Sequence, residues 1–376
     1  MVLMVSCSRI SKVKQIIGFA YLLICLALGT LPVLAETTSR ETLAAAARLP
    51  IGVFAVPQDL LYLSKMKGFE VVHNYRFEEA RDRNDELATY LDEAHSLGLK
   101  VMVGFERKEN YTVPKVVERV RRFRAHPAVW AWYLCDEPKT AMRDQVAEIA
   151  AAIRREDPGH PLIIATDLAP FAVLADLVFA YTYPIKDRAF PQQELSPEVR
   201  RIDQVAEASP PFCVLVQTFN WNHYLQFDKR RRDNRYPTAE EMRFMAFYGV
   251  LKGARAVFFF SFQTLPIEHR NLGNVAALIG ELKGMREYLA GEQVDPKTYT
   301  NHPHAATWRK DGRTLLLITN PIGQPLEATL KPGSWTLADF KNPTAMIPSG
   351  KLTLAPWGVR LLLVTEKPSI HESPTR

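Results

Sequence analysis

The sequence is poor in cysteine, has no glycine-rich phosphate loop and contains one long apolar run; each shortage excludes a class of protein. Four cysteines occur in 376 residues. Cys7 and Cys25 lie in the N-terminal apolar region, which leaves Cys135 and Cys213 at or near predicted strands. That pattern reads as two buried thiols rather than a disulfide framework. No Cys-x-x-Cys or His/Cys spacing suggests a metal site, and no cofactor is implied. Val56-Pro57-Gln58-Asp59 follows the first apolar run and is unlike the turn of a dinucleotide-binding sheet. No nucleic-acid-binding motif is present.

The one long apolar run is N-terminal. Arg9, Lys12 and Lys14 precede an apolar stretch from Ile16 to Val33, and Val33-Leu34-Ala35 offers a small-residue cleavage site. This pattern predicts a signal peptide over residues 1–35 and a secreted or periplasmic mature chain. The alternative is an uncleaved anchor, since the run nearly reaches membrane-spanning length. Loss of the segment removes three cations and no acid, lowering the formal charge from +6 to +3. So mild an excess argues for no nucleic-acid partner. No other stretch is apolar enough for stable membrane insertion.

After a linker over 36–48, short apolar runs alternate with amphipathic ones. Strands are predicted at Ile51–Pro57, Glu70–Tyr75, Lys100–Glu106, Val129–Cys135, Leu162–Asp167, Leu177–Tyr183, Phe212–Thr218 and Ala256–Phe262. Helical patterns separate them. Asn84 is read as an N-cap, Thr112 and Pro114 open a helix, and Thr238 with Glu241 forms a capping box. Eight near-continuous apolar strands, each followed by a helix, predict a parallel (β/α)₈ barrel over 49–292, with an open doubly wound sheet as the alternative. Beyond Gly291 short alternating runs separated by Asp311-Gly312, Pro332-Gly333 and Ser349-Gly350 predict a small antiparallel β-sandwich over 293–366. The polar stretch 367–376 reads as a disordered tail.

In such a barrel the C-terminal strand ends converge on one mouth, so polar residues there form the candidate site. They are Asn74, Tyr75, Glu106, Asp136, Glu137, Asp167, Tyr181, Tyr183, Gln217, Asn220, Trp221 and Gln263, with His73 and Ser261 beside them. Trp130, Phe258, Phe259 and Phe260 read as strand core. The loop Asn220–Tyr224 offers stacking faces for sugar rings. Lys229–Arg232 and Arg235 form either a basic rim attractive to an anionic polysaccharide or a solvated loop.

The stretch His126 to Pro138, ending Cys135-Asp136-Glu137-Pro138, resembles barrel glycoside hydrolases. In the large clan of retaining enzymes the fourth strand ends in Asn-Glu, and that Glu is the acid/base. The Asp-Glu-Pro form looks like a set of bacterial glycoside-hydrolase-like barrels. Tyr181-Thr182-Tyr183-Pro184, Val216-Gln217-Thr218-Phe219, Pro237 to Arg243 and Leu354 to Leu361 are similar to further parts of that set. The resemblance implies a carbohydrate substrate and makes Glu137 the general acid, with Asp136 at the position of the clan's sugar-binding Asn. A carboxyl walled by Trp132 or Tyr183 would retain its proton. The alternative has Asp136 capping the following turn and Glu137 paired with an arginine.

One departure matters. The clan's nucleophilic Glu ends strand seven, where this chain has Gln217, and a neutral amide cannot attack an anomeric carbon. The expectation is therefore an inverting or atypical hydrolase with Glu106, Asp167 or Asp136 as second carboxyl. The alternatives are a non-catalytic glycan-binding barrel serving exopolysaccharide assembly or export, and a hydrolase of another bond.

Overall fold

The computed structural model describes residues 49–79, 82–105, 111–186, 195–208, 211–224, 234–267 and 269–366. The expected signal peptide, linker and tail, and also Glu106 and Lys229–Arg232, lie outside the described residues.

Eight parallel strands form a closed barrel: β1 (Ile51–Val53), β2 (Val71–Val72), β3 (Lys100–Gly104), β4 (Val129–Asp136), β5 (Leu162–Ala165), β6 (Leu177–Ala180), β7 (Phe212–Gln217) and β8 (Ala256–Phe260). One α-helix follows each strand: α1 (Leu61–Met66), α2 (Asn84–Ser96), α3 (Val113–Phe123), α4 (Arg143–Glu156), α5 (Ala169–Ala172), α6 (Ser196–Ala208), α7 (Ala239–Leu251) and α8 (His269–Leu289). β1 pairs with β8 in parallel and closes the ring, with Gly52 opposite Phe258. A side chain on Gly52 would meet the Phe258 ring at 2.2 Å, so the glycine makes room for the phenylalanine filling the barrel. The inward core includes Phe54, Met102, Tyr133, Ile163, Phe179, Leu215 and Phe258; a second core lies between strands and helices.

The Thr238–Glu241 capping box is present at α7. Asn84 is a different case. It lies within α2, preceded by Arg83, and its side chain accepts from the buried Arg119 at 2.8 Å rather than capping the helix. Arg119 also donates to the carbonyls of Phe77 and Gly104, which satisfies its buried charge. Thr112 precedes α3 without a side-chain cap.

The C-terminal part is a six-stranded antiparallel sheet with a two-stranded antiparallel partner. The larger sheet runs β14 (Met346–Ile347), β13 (Trp335–Asp339), β16 (Val359–Glu366), β11 (Arg313–Thr319), β10 (Ala305–Lys310) and β9 (Glu292–Val294). The smaller one pairs β12 (Leu326–Leu330) with β15 (Gly350–Leu354). Leu316, Ile318, Leu330, Leu354 and Leu362 pack between them. This unit docks on α7 and α8: Phe244 meets Trp357 edge-on at 5.4 Å, and Arg243 bonds both Glu281 and the Val359 carbonyl. The strand ends that carry the acidic pair are left open.

Candidate active site

The acidic pair is aimed by a break in β4. Ala131 and Tyr133 point into the barrel, whereas Trp132 and Leu134 point out toward the helices. A register shift against β5 lies between Tyr133 and Cys135, and Cys135 packs with the outer core. Such a bulge resets the inward–outward alternation. Asp136 therefore returns to the barrel side, where its carboxylate accepts the Tyr133 hydroxyl at 2.9 Å. Glu137 follows with φ 50°, a left-handed conformation rare for a residue with a side chain, and its N–H is fixed to the Ala165 carbonyl. Its carboxyl is exposed. Among the described residues no cation lies within ion-pair distance of Glu137, so the arginine pairing alternative is not what the fold builds.

The Tyr181 hydroxyl, from the end of β6, donates to Glu137 at 2.6 Å. Burial, then this bond and the nearby charges of Glu137, Asp136 and Asp167, hold that hydroxyl protonated far above its ordinary range. Tyr181 is thus a permanent donor with three carboxylates around it. Glu137, Asp167, Tyr181 and Thr182 line a cleft of about 620 Å³ together with Arg200, Arg201 and Gln204 of α6.

A larger depression of about 1040 Å³ lies on the other side of the mouth and holds Asn74, Tyr75 and Gln263. A file of half-buried rings connects the two. Tyr75 to Phe260, Phe260 to Tyr183 and Tyr183 to Tyr181 are spaced 6.3, 5.2 and 5.1 Å. Phe258 and Phe259 are core as expected, but Phe260 belongs to this file at the mouth. Tyr183, like Glu137, has φ 50°. The Phe260–Ser261 peptide is cis.

No protein-family model and no curated protein matches the sequence. Solved structures do. A glycoside hydrolase family 5 protein from Bacteroides vulgatus ATCC 8482 aligns with a TM-score of 0.58 at 12% identity, covering 85% of this chain and 89% of that one. A catalytic mutant of Gan42B, a GH42 β-galactosidase from G. stearothermophilus, aligns with a TM-score of 0.60 at 9% identity, covering 85% and 98%. An α-amylase from Geobacillus thermoleovorans, complexed with acarbose, gives 0.55 at 8%, covering 85% and 99%. The chain shares its fold with glycoside hydrolases. At these identities the likeness concerns the fold.

The barrel distributes the other expected site residues unevenly. Gln217 is fully buried; its amide oxygen accepts from the Ile185 N–H at 2.9 Å, and its nitrogen donates to the carbonyls of Ile185 and Phe219. It staples the segment after β6 to the end of β7 and presents nothing to the mouth, so a sugar-positioning role for it is not carried forward. Asn220 is similarly committed, to Asn222 and Asn234. Trp221 donates to the Tyr183 carbonyl at 3.2 Å and carries Lys186 over its ring at 4.8 Å. Asn74 caps the turn beginning at Tyr75. Gln263 donates to the Tyr224 hydroxyl. Trp132, expected as a wall for Glu137, is buried outside the barrel and donates to Asp157 at 2.9 Å. Arg235, read as part of either a basic rim or a solvated loop, is half-buried and bound to Glu241.

Two buried groups were missed. Glu198, in the first turn of α6, is fully buried and accepts the Thr182 hydroxyl at 2.6 Å; burial raises its pKa to about 7. Its other oxygen lacks a partner. Ser196-Pro197-Glu198 in sequence reads as an ordinary solvated helix start, so no local signal marks it. The second is the His73–Glu78 pair, both buried, 2.5 Å apart. His73 stands at the strand end where the sequence placed it, and the missed member is Glu78, which bonds one of its ring nitrogens. Gly104 leaves the space that Glu78 occupies: a Cβ there would lie 2.3 Å from its carboxylate.

Proposed function

We propose that the protein is an exported glycoside hydrolase, secreted or periplasmic, acting on a polysaccharide or oligosaccharide by inversion. The observation that carries this reading is one cleft at the strand ends lined by both Glu137 and Asp167, with the Tyr181 hydroxyl bonded to Glu137. Glu137 donates its proton to the glycosidic oxygen as the carbon–oxygen bond breaks. Asp167 takes a proton from the water that bonds to the anomeric carbon from the opposite face. Inversion places such carboxyls about 6.5–9.5 Å apart, with water between them. Tyr181 orients the acid, Asp136 bonds a sugar hydroxyl, and the file from Tyr75 to Tyr181 stacks against sugar faces.

The test is reducing-end release from a polysaccharide panel. Glu137→Gln and Asp167→Asn should each lower it by about a hundredfold or more while the unfolding midpoint stays in place. Full activity in either variant removes that residue from the mechanism. The anomer first formed, followed by NMR, decides between inversion and retention.

A second reading, a non-catalytic glycan-binding barrel assisting exopolysaccharide assembly or export, is favoured by Gln217. At the position of the clan's nucleophile stands an amide locked to backbone.

A further inference from the structure

The Glu137 cleft contains charges of both signs that do not pair with each other. Glu137 and Asp167 stand on the strand side; Arg200 and Arg201 stand on α6. Among the described residues no ion pair joins either acid to either guanidinium. Arg201 is half-buried and tethered to the Thr166 carbonyl at 2.5 Å, which fixes where its charge sits. Arg200 is exposed, and no described partner engages it. Exposed opposite charges gain little by pairing in water and stay apart where separate backbone elements hold them apart. Here α6 and the ends of β4 and β5 do so, leaving a gap that a ligand with complementary groups would bridge.

We propose that this cleft selects a sugar bearing a carboxylate, a uronic acid, and that Arg200 is its recognition residue. The planar guanidinium matches a carboxylate in a two-point contact. Arg201 adds a fixed charge beside it, and Gln204, one turn beyond Arg200 on α6, offers an amide to the neighbouring hydroxyls. The sugar's acidic edge then faces α6, and its glycosidic oxygen faces Glu137. The other depression has the contrary character. Asp59, Glu79, Glu86 and Glu93 line it; Arg76 pairs with Glu86 and Arg83 with Glu79 and Glu86, which leaves an acidic excess. An acidic sugar is therefore favoured at the α6 end of the mouth and disfavoured at the α2 end, which orients the chain across the aromatic file. This inference rests on the carbohydrate reading above and names its substrate class.

The experiment is calorimetric binding of oligogalacturonate, oligoalginate and hyaluronan oligosaccharides, each beside its carboxyl-reduced neutral counterpart, to the chain carrying Glu137→Gln, which blocks turnover. At least one uronate should bind about tenfold or more tightly than its reduced form, the scale of one charge-assisted contact. Arg200→Gln should erase that preference, and Arg200→Lys should restore part of it, with the unfolding midpoint unchanged in both. Equal affinity for acidic and reduced forms, an unaltered preference in Arg200→Gln, or no binding of any uronate overturns the proposal. If a neutral glycan from the hydrolysis panel is bound or cleaved while every uronate fails, the acidic-sugar inference falls and the hydrolase reading stands. If nothing binds and nothing is cleaved, both fall.

Discussion

The Tyr181 hydroxyl sits 2.6 Å from a carboxylate oxygen of Glu137, joining the end of β6 to the end of β4. Neither residue is placed by its own strand alone. Glu137 takes a left-handed turn just after a bulge, and Tyr181 packs at a tilt against Tyr183, itself left-handed. Backbone strain of this kind costs about 1–3 kcal/mol per residue and persists where surrounding contacts over-determine it.

Tyr181→Phe tests that link. Removing the hydroxyl leaves the ring packing intact and takes the only described hydrogen bond to the Glu137 side chain. Turnover should fall about tenfold, as expected for losing one hydrogen bond that orients the acid. Stability should change by no more than about 1 kcal/mol because Glu137 is exposed. Steady-state kinetics beside urea unfolding decide it, and unaltered turnover would show that Tyr181 does not orient the acid.

Glu198 gives the fold a pH dependence with a definite sign. Burial raises its folded pKa to about 7 against 4.5 for a free glutamate, with the Thr182 bonds and Arg201 opposing the shift. Below the unfolded value both states hold the proton, and the group's stabilising contribution is whole. As pH rises through 4.5 toward 7 the unfolded chain releases its proton first, so stability falls by roughly 3 kcal/mol and then levels off. Glu198→Gln, which keeps an oxygen for Thr182, should flatten this slope in urea unfolding between pH 5 and 8. Parallel slopes for the two proteins would mean the carboxyl ionises freely in the folded state.

Gln217→Glu asks whether restoring a carboxylate at the end of β7 creates retaining chemistry. The geometry says it does not. The Gln217 amide nitrogen donates to two carbonyls, at 2.8 and 3.1 Å, and a carboxylate there would face both without a proton to offer. The substitution should destabilise the protein by about 3 kcal/mol and leave the product anomer as it was. A stable variant that switches anomer would contradict the buried orientation of this side chain.

The eight strands were legible because parallel strands buried on both faces read as near-continuous apolar runs, and the capping box of α7 because its chemistry is local. The same continuity hid direction. Val129 to Cys135 shows no alternation, so nothing in it tells that Tyr133 faces inward, Trp132 faces the helices, and a bulge re-aims Asp136. Asn84 was misread for a related reason. An Asn before a helical pattern normally caps it, but the buried Arg119, 35 residues away, claims its side chain.

By itself the sequence determined the number and order of strand–helix units, the presence of a later antiparallel unit, and the presence of an acidic pair at the end of β4, because these depend on local periodicity and on residue type. Only the tertiary structure decided which polar side chains share a space. Asp167 and Tyr181 were brought to Glu137, Gln217 was drawn into the backbone, and Glu198 was buried. Those outcomes depend on long-range closure of the barrel and on which group finds a partner when water is removed, and no single segment of the chain encodes either.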